Sequence, residues 1–172
     1  MTRDFTTLSI DLGSTFGWAL GKNGTVTHSG EIALSHKDAH PGNRFLRFHE
    51  FLSNFRSVNE VLYEDVPRFE SAASARVYCG MLAMLQVFCL VQGIRMSSMK
   101  SNSVKKAFTT NGNCSKTMMC EMAHKLGWRG GKLGTDIEHN ACDAIALLWV
   151  VYTKRGVEPK FERLDTQKQM SL

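Results

Sequence analysis

A chain of 172 residues suits one compact domain, and 43% hydrophobic with 22% charged residues excludes a largely disordered or fibrous protein. The 21 Lys and Arg outnumber the 16 Asp and Glu, for a formal charge of +5. That surplus suits a polyanionic partner, since Lys and Arg bound to phosphates release condensed counterions, although a mildly basic soluble protein carries the same balance.

The first 30 or so residues read as three antiparallel strands. Residues 7–12 alternate Leu8, Ile10 and Leu12 against Thr7, Ser9 and Asp11. Strands over 16–21 and 25–34 follow, joined by a Lys22-Asn23-Gly24 hairpin turn, because Asn-Gly tolerates positive φ. Pro41 opens a helical stretch carrying Phe45, Phe48, Phe51, Leu52 and Phe55. Residues 58–65 form an apolar strand that reaches Glu64. A long helix over 71–91, rich in Ala, Met and Leu, ends near Gly93. A strand over 94–99 and helices over 101–108 and 115–126 come next.

The last helix starts at a capping box, Thr135-Asp136-Ile137-Glu138, and carries a core stripe of Ile137, Ala141, Ala144, Ile145, Leu148 and Tyr152. Strands joined through helices run parallel with right-handed crossovers. The expectation is an α/β domain over residues 1–153: a five-stranded mixed sheet, three antiparallel strands then parallel ones, flanked by helices. Residues 154–172 read as a polar C-terminal tail.

Cys79, Cys89, Cys114, Cys120 and Cys142 form no C-x-x-C pair and show no zinc-ligand spacing, so they read as free thiols in a reducing compartment. Cys79, Cys89 and Cys142 sit among apolar neighbours, as small hydrophobes. The N-terminus lacks a signal-peptide pattern, and the apolar stretches 81–91 and 144–152 are too short to span a bilayer. A cytoplasmic protein without membrane contact is expected.

Three acids stand where this topology would gather them: Asp11 and Glu64 at strand ends, and Asp143 in the last helix. Gathered carboxylates repel one another unless a cation neutralises them. Mg²⁺ prefers such oxygen ligands, and two ions can clamp the attacking and leaving oxygens of a phosphoryl displacement. Each acid has a plainer reading too. Asp11 could cap a turn before Gly13, and Glu64 could pair with Arg68. Asp143, flanked by Ala141, Cys142, Ala144 and Ile145, is costly to bury unless paired or metal-bound. Glu138 is accounted for by capping.

The pattern Ser9-Ile10-Asp11-Leu12-Gly13-Ser14-Thr15, then Tyr63-Glu64-Asp65-Val66-Pro67, then Asn140-Ala141-Cys142-Asp143-Ala144-Ile145-Ala146-Leu147 resembles the RuvC Holliday-junction resolvases, especially phage-type relatives, over roughly residues 7–152. The resemblance implies an RNase H-like fold and a homodimer acting on branched DNA, in a bacterial cell or phage-infected host. It implies Asp11, Glu64 and Asp143 as ligands for two Mg²⁺ or Mn²⁺ ions, and water attacking a phosphodiester to leave 5′-phosphate and 3′-hydroxyl ends. Lys105 and Lys116 stand where the family has basic residues near the scissile strand, with Lys106 alongside. Lys116 thereby joins the catalytic set.

Two departures matter. The family's further metal-site residue, Asp or His, sits three positions before the last Asp, where this chain has Asn140; His139, one residue earlier, shares the helical face, suits Mn²⁺ and could shuttle a proton. Some relatives place an aromatic wedge where this chain has Pro67, followed by Arg68 and Phe69, and Phe69 could stack on a base or pack at the helix entrance.

Other readings are an RNase H-like nuclease on flaps or RNA–DNA hybrids, and an inactive DNA-binding module. A third is an actin-like phosphotransferase, whose phosphate loop Asp11-Leu12-Gly13-Ser14-Thr15 also resembles. That last class needs two lobes around ATP, which 172 residues hardly supply.

Overall fold

The computed structural model describes residues 4–34, 40–130 and 138–162. In chain order the elements are β1 (Thr6–Asp11), β2 (Thr15–Lys22), β3 (Thr25–Ala33), α1 (Asn43–Ser53), β4 (Glu60–Asp65), α2 (Ala72–Gln92), β5 (Arg95–Lys100), α3 (Ser101–Thr109), α4 (Lys116–Lys125), α5 (His139–Lys154) and β6 (Lys160–Phe161). They build one mixed sheet in the order β5-β4-β1-β2-β3-β6. β1, β2 and β3 are antiparallel, whereas β4 lies parallel to β1 and β5 parallel to β4. The hairpin between β2 and β3 turns on Asn23 and Gly24 at φ 51° and 86°, the positive values that Asn-Gly accommodates.

Strand alternation in β1 and β2 sorts the two sides of the sheet. Leu8, Ile10, Leu12 and Phe16 face a core layer completed by Phe48 and Leu52 of α1 and Met81 and Leu85 of α2. The opposite side of β1 and β2 carries Thr7, Ser9, Asp11, Gly17, Ala19 and Gly21. This is no solvent face: α5 lies along it, and Thr7, Ser9 and Ala19 are fully buried. Small side chains make room for the helix. A Cβ on Gly17 would stand 1.8 Å from the carbonyl oxygen of Asn140, and one on Gly21 would stand 2.5 Å from the Tyr152 hydroxyl.

Hydrogen bonds and an ion pair then fix α5 along that bed. The Ser9 hydroxyl donates to the carbonyl of Ala144 at 2.7 Å. At the far end, Arg155 donates twice to the fully buried Glu60 of β4, at 2.7 and 2.8 Å. Burial pushes the Glu60 carboxyl upward, but the Arg155 hydrogen bonds and the Arg155 and Arg95 charges outweigh it and hold the group below its usual value.

α2 is capped at the N-terminus by Ser71, whose hydroxyl accepts from the amide of Ser74, and stops at Gly93 in the left-handed conformation. Its 21 residues contain a window of mean hydropathy 1.6, long and apolar enough to cross a bilayer by length and composition. That exceeds the length read from the 81–91 stretch alone. One face, with Val77, Met81, Leu85 and Phe88, is buried against the sheet, as in a core helix.

Several expectations need correcting. The sheet has a sixth strand, because Lys160–Phe161, within the stretch read as a polar tail, pairs in parallel with Thr25 and Val26 of β3. Trp149 stacks on Phe161 at 5.2 Å and gives that short strand an apolar anchor. Cys142 is not a free thiol, since it forms a disulfide with Cys120 where α4 packs on α5. Cys79 is exposed rather than buried. Within the capping box, Thr135, Asp136 and Ile137 lie outside the described residues, and Glu138 stands at the N-cap of α5 without a side-chain capping bond.

Candidate active site

β1 and β4 pair in parallel up to Ile10 with Tyr63, so Asp11 and Glu64 follow together at one edge of the sheet. Both fall on the α5 side by strand alternation, since Glu64 shares its face with Leu62 and Glu60. The end of β4 is held by Tyr78 of α2, whose hydroxyl donates to the carbonyl of Glu64 at 2.8 Å. Asp143 arrives from the second turn of α5. Glu64 and Asp143 are each only 7% exposed.

The three carboxylates act on one another. Burial, then the charges of Glu64 and Asp143, push Asp11 well above the usual carboxylate range, while Lys116 and Lys105 partly offset this. Glu64 is raised by burial and by Asp143, against the pull of a Ser101 hydrogen bond and both lysines. Asp143 is raised by burial, again opposed by Lys116 and Lys105. Elements distant in sequence thus deliver three acids and two lysines to one electrostatic neighbourhood. Among the described residues, no three Asp, Glu, His or Cys side chains are already grouped as ligands around a single ion. The acids are neighbours that feel one another's charge rather than a finished chelate. An all-oxygen, mutually repelling donor set, with Glu64 and Asp143 buried and Asp11 half-buried, fits Mg²⁺ or Mn²⁺, because a hard cation removes the repulsion.

The remaining expected residues divide. Lys105 is half-buried on α3 and Lys116 exposed at the start of α4, and both bear on the acids. Lys106 is exposed, and its charge is not among those acting on the acids. Arg68 and Phe69 occupy the exposed loop between β4 and α2, with the Phe69 ring 5.1 Å from that of Tyr78 and 36% exposed. Glu64 makes no ion pair with Arg68 among the described residues. The His139 Nδ1 lies 3.6 Å from the Cys120 Sγ.

Three positioning residues were not singled out from sequence. Ser9 and Gly17 seat α5, and Glu31 of β3 accepts from the backbone N–H and the side-chain amide of Asn140, at 3.3 and 3.1 Å. The small-residue alternation Gly17-Trp18-Ala19-Leu20-Gly21 was a readable sign of a closely packed helix; Glu31 carried none.

No protein-family model and no curated protein matches the chain. Solved structures do. RuvC of Thermus thermophilus, in complex with a Holliday junction substrate, superposes with a TM-score of 0.68 at 19% identity, covering 88% of this chain and 96% of that one. A second Thermus thermophilus RuvC structure gives 0.66 at 19% identity, covering 89% and 98%. The yeast mitochondrial Holliday junction resolvase Ydc2 gives 0.60 at 13% identity, covering 87% and 80%.

The fold is that of a RuvC-type resolvase. On this RuvC-type scaffold the position three before Asp143 holds Asn140, and its amide is committed to Glu31. In this sheet β6 is the edge strand beside β3.

Proposed function

We propose that this chain is a divalent-metal-dependent endonuclease selective for four-way junctions or related branched DNA, leaving 5′-phosphate and 3′-hydroxyl ends. The mutual charge effects of Asp11, Glu64 and Asp143, offset by Lys105 and Lys116, support this reading. The RuvC-type fold supports it, since two of the similar structures are described with Holliday junctions.

Asp11, Glu64 and Asp143 would hold two Mg²⁺ or Mn²⁺ ions, with His139 adding a nitrogen ligand. Bound ions supply Lewis acidity toward the phosphodiester and lower the pKa of water. Lys105 and Lys116 place positive charge at the rim, where a scissile phosphate would approach the acids and where charge builds during attack. Lys106, Arg68 and Phe69 are exposed on flanking elements and would contact the DNA arms. Such contacts position a duplex without reading sequence.

A homodimer would present two such sites to opposite strands. The face of α2 turned from the sheet supports this, with Val87, Leu90 and Val91 at 61%, 82% and 72% exposure. Beside it, Met84, Val87, Phe88 and Val91 line an apolar groove of about 340 Å³. A cytoplasmic location fits a DNA substrate, whereas the Cys120–Cys142 disulfide is uncommon in a reducing compartment and argues the other way.

The test is nicking of a synthetic four-way junction beside a flap, an RNA–DNA hybrid and a linear duplex, in Mg²⁺, in Mn²⁺ and in chelator. Symmetric nicks near the branch that vanish in chelator are expected. Cleavage of all substrates alike would remove the junction preference, because a fold does not settle a substrate. Cleavage that survives chelation would end the metal reading.

A further inference from the structure

Glu31 stands in line with the acids rather than among them. In register, Asp11 of β1 faces Gly17 of β2, and Gly17 faces Glu31 of β3. Cross-strand partners share a side of the sheet, so Asp11 and Glu31 flank an empty position, and the first turn of α5 drops into it. The fit is close: a Cβ on Gly17 would meet the Asn140 carbonyl oxygen at 1.8 Å, its carbon at 2.0 Å and the Ala141 nitrogen at 2.6 Å.

A helix N-terminus carries N–H groups without intrahelical partners and the positive end of the helix dipole. α5 has no acidic residue in its first turn, and its N-cap residue makes no side-chain capping bond. Glu31 provides the missing acceptor from another strand. Its Oε2 receives both the backbone N–H and the side-chain amide of Asn140. The second bond also fixes the orientation of that amide, because only the nitrogen can donate to a carboxylate.

We infer that Glu31 is a positioning residue for the carboxylate site: it clamps Asn140, and through Asn140 it sets the rotation and height of α5, which carries Asp143 three residues on. This rests on the proposed nuclease reading for its consequence in catalysis, but not for the clamp itself. Nothing in it requires Glu31 to touch an ion or the DNA.

The experiment compares Glu31→Ala, Glu31→Gln and Asn140→Ala with the wild-type protein. Readouts are melting temperature, amide hydrogen exchange of residues 139–143, Mn²⁺ binding followed by the electron paramagnetic resonance signal of the free ion, and junction nicking with kcat separated from KM. Groups that orient metal ligands typically change affinity or activity by about 10–100-fold when removed. Glu31→Ala should weaken Mn²⁺ binding about tenfold and lower kcat similarly, leave KM for the junction unchanged, and speed exchange in the first turn of α5. Glu31→Gln keeps an acceptor oxygen and should stay within about threefold of wild type on the same measures.

The inference is overturned if folded Glu31→Ala binds Mn²⁺ within twofold of wild type, or if Glu31→Gln is as impaired as Glu31→Ala. Should Glu31→Ala fail to fold, Asn140→Ala, which deletes one of the two bonds, decides by the same Mn²⁺ criterion. A wild-type protein that neither binds Mn²⁺ nor nicks DNA would remove the nuclease reading; the exchange data on α5 would then still decide whether Glu31 holds the helix.

Discussion

Replacing Asp11 by Asn should stabilise the metal-free protein while destroying its activity. Two unit charges about 6 Å apart at an effective dielectric near 20 repel by roughly 3 kcal/mol. For Asp11 burial is the largest part of the penalty, the charges of Glu64 and Asp143 add to it, and Lys116 and Lys105 return part of it. A net relief of about 2 kcal/mol is reasonable, which for a chain of this size raises Tm by about 4–8 °C. The pH dependence has a definite sign. A carboxyl whose folded-state pKa is raised contributes stability that is fully present below the unfolded value. That contribution is lost as pH climbs toward the raised one. Wild type should therefore fall away from the Asn variant as pH rises above about 4, with the widest gap near neutrality. Melting curves in chelator from acid to neutral pH measure this. Saturating Mg²⁺ should then raise the Tm of wild type more than that of the variant, since an ion that binds only the folded state stabilises it. Nicking should vanish while junction binding stays equal or tightens. An Asn variant no more stable than wild type at neutral pH, or a gap unchanged at pH 4, would refute the idea of mutually repelling buried acids.

Gly17→Ala should cost about 2 kcal/mol or more, because the new Cβ meets Asn140 backbone at 1.8 Å and only a shift of α5 relieves it; nicking should drop further than the melting curve alone accounts for. Arg155→Ala should leave the fully buried Glu60 with Arg95 at 3.4 Å and Ser97 at 3.2 Å. A loss of about 3 kcal/mol follows. Because the Glu60 carboxyl is held low, the pair's stabilisation is present above the ordinary Glu range and fades as pH falls through the depressed value, so acid should shrink the difference between wild type and variant in thermal melts. Leu90→Glu, at a site 82% exposed and remote from the acids, should weaken self-association at least about tenfold in sedimentation velocity without lowering the melting temperature of the monomer.

The sheet was legible because its signals are local. Alternation in β1, the Asn-Gly turn, Ser71 and Gly93 at the ends of α2 and the apolar run of β4 each declare themselves within a few residues. Asp11 and Asp143 stood out for a related reason, as carboxylates in otherwise apolar or hydroxylic segments that would resist burial. What sequence did not disclose depends on packing between distant elements. Cys120 and Cys142 are 22 residues apart with no motif spacing, and only the contact of α4 with α5 pairs them. Glu31 looks like any charged strand residue until α5 is laid across Gly17. The polar composition after residue 153 concealed β6, which needs only two residues and the Trp149 ring to hold it.

The way α5 is fastened has a consequence for chain-length change. A helix advances about 1.5 Å and turns about 100° per residue, so the 16 residues of α5 make a bar of roughly 24 Å. Ser9 grips it at Ala144 and Glu60 grips it just past its end at Arg155, so the number of residues between these two fasteners is a fixed count. One residue inserted or deleted in that interval throws one fastener out of phase by more than a quarter turn, and no sliding along the bed recovers it. Substitutions at the exposed Thr153 and Lys154 are tolerable on this view, whereas indels between positions 144 and 155 are not: the helix sets the spacing between its two attachment points on the sheet as a gauge block sets a gap.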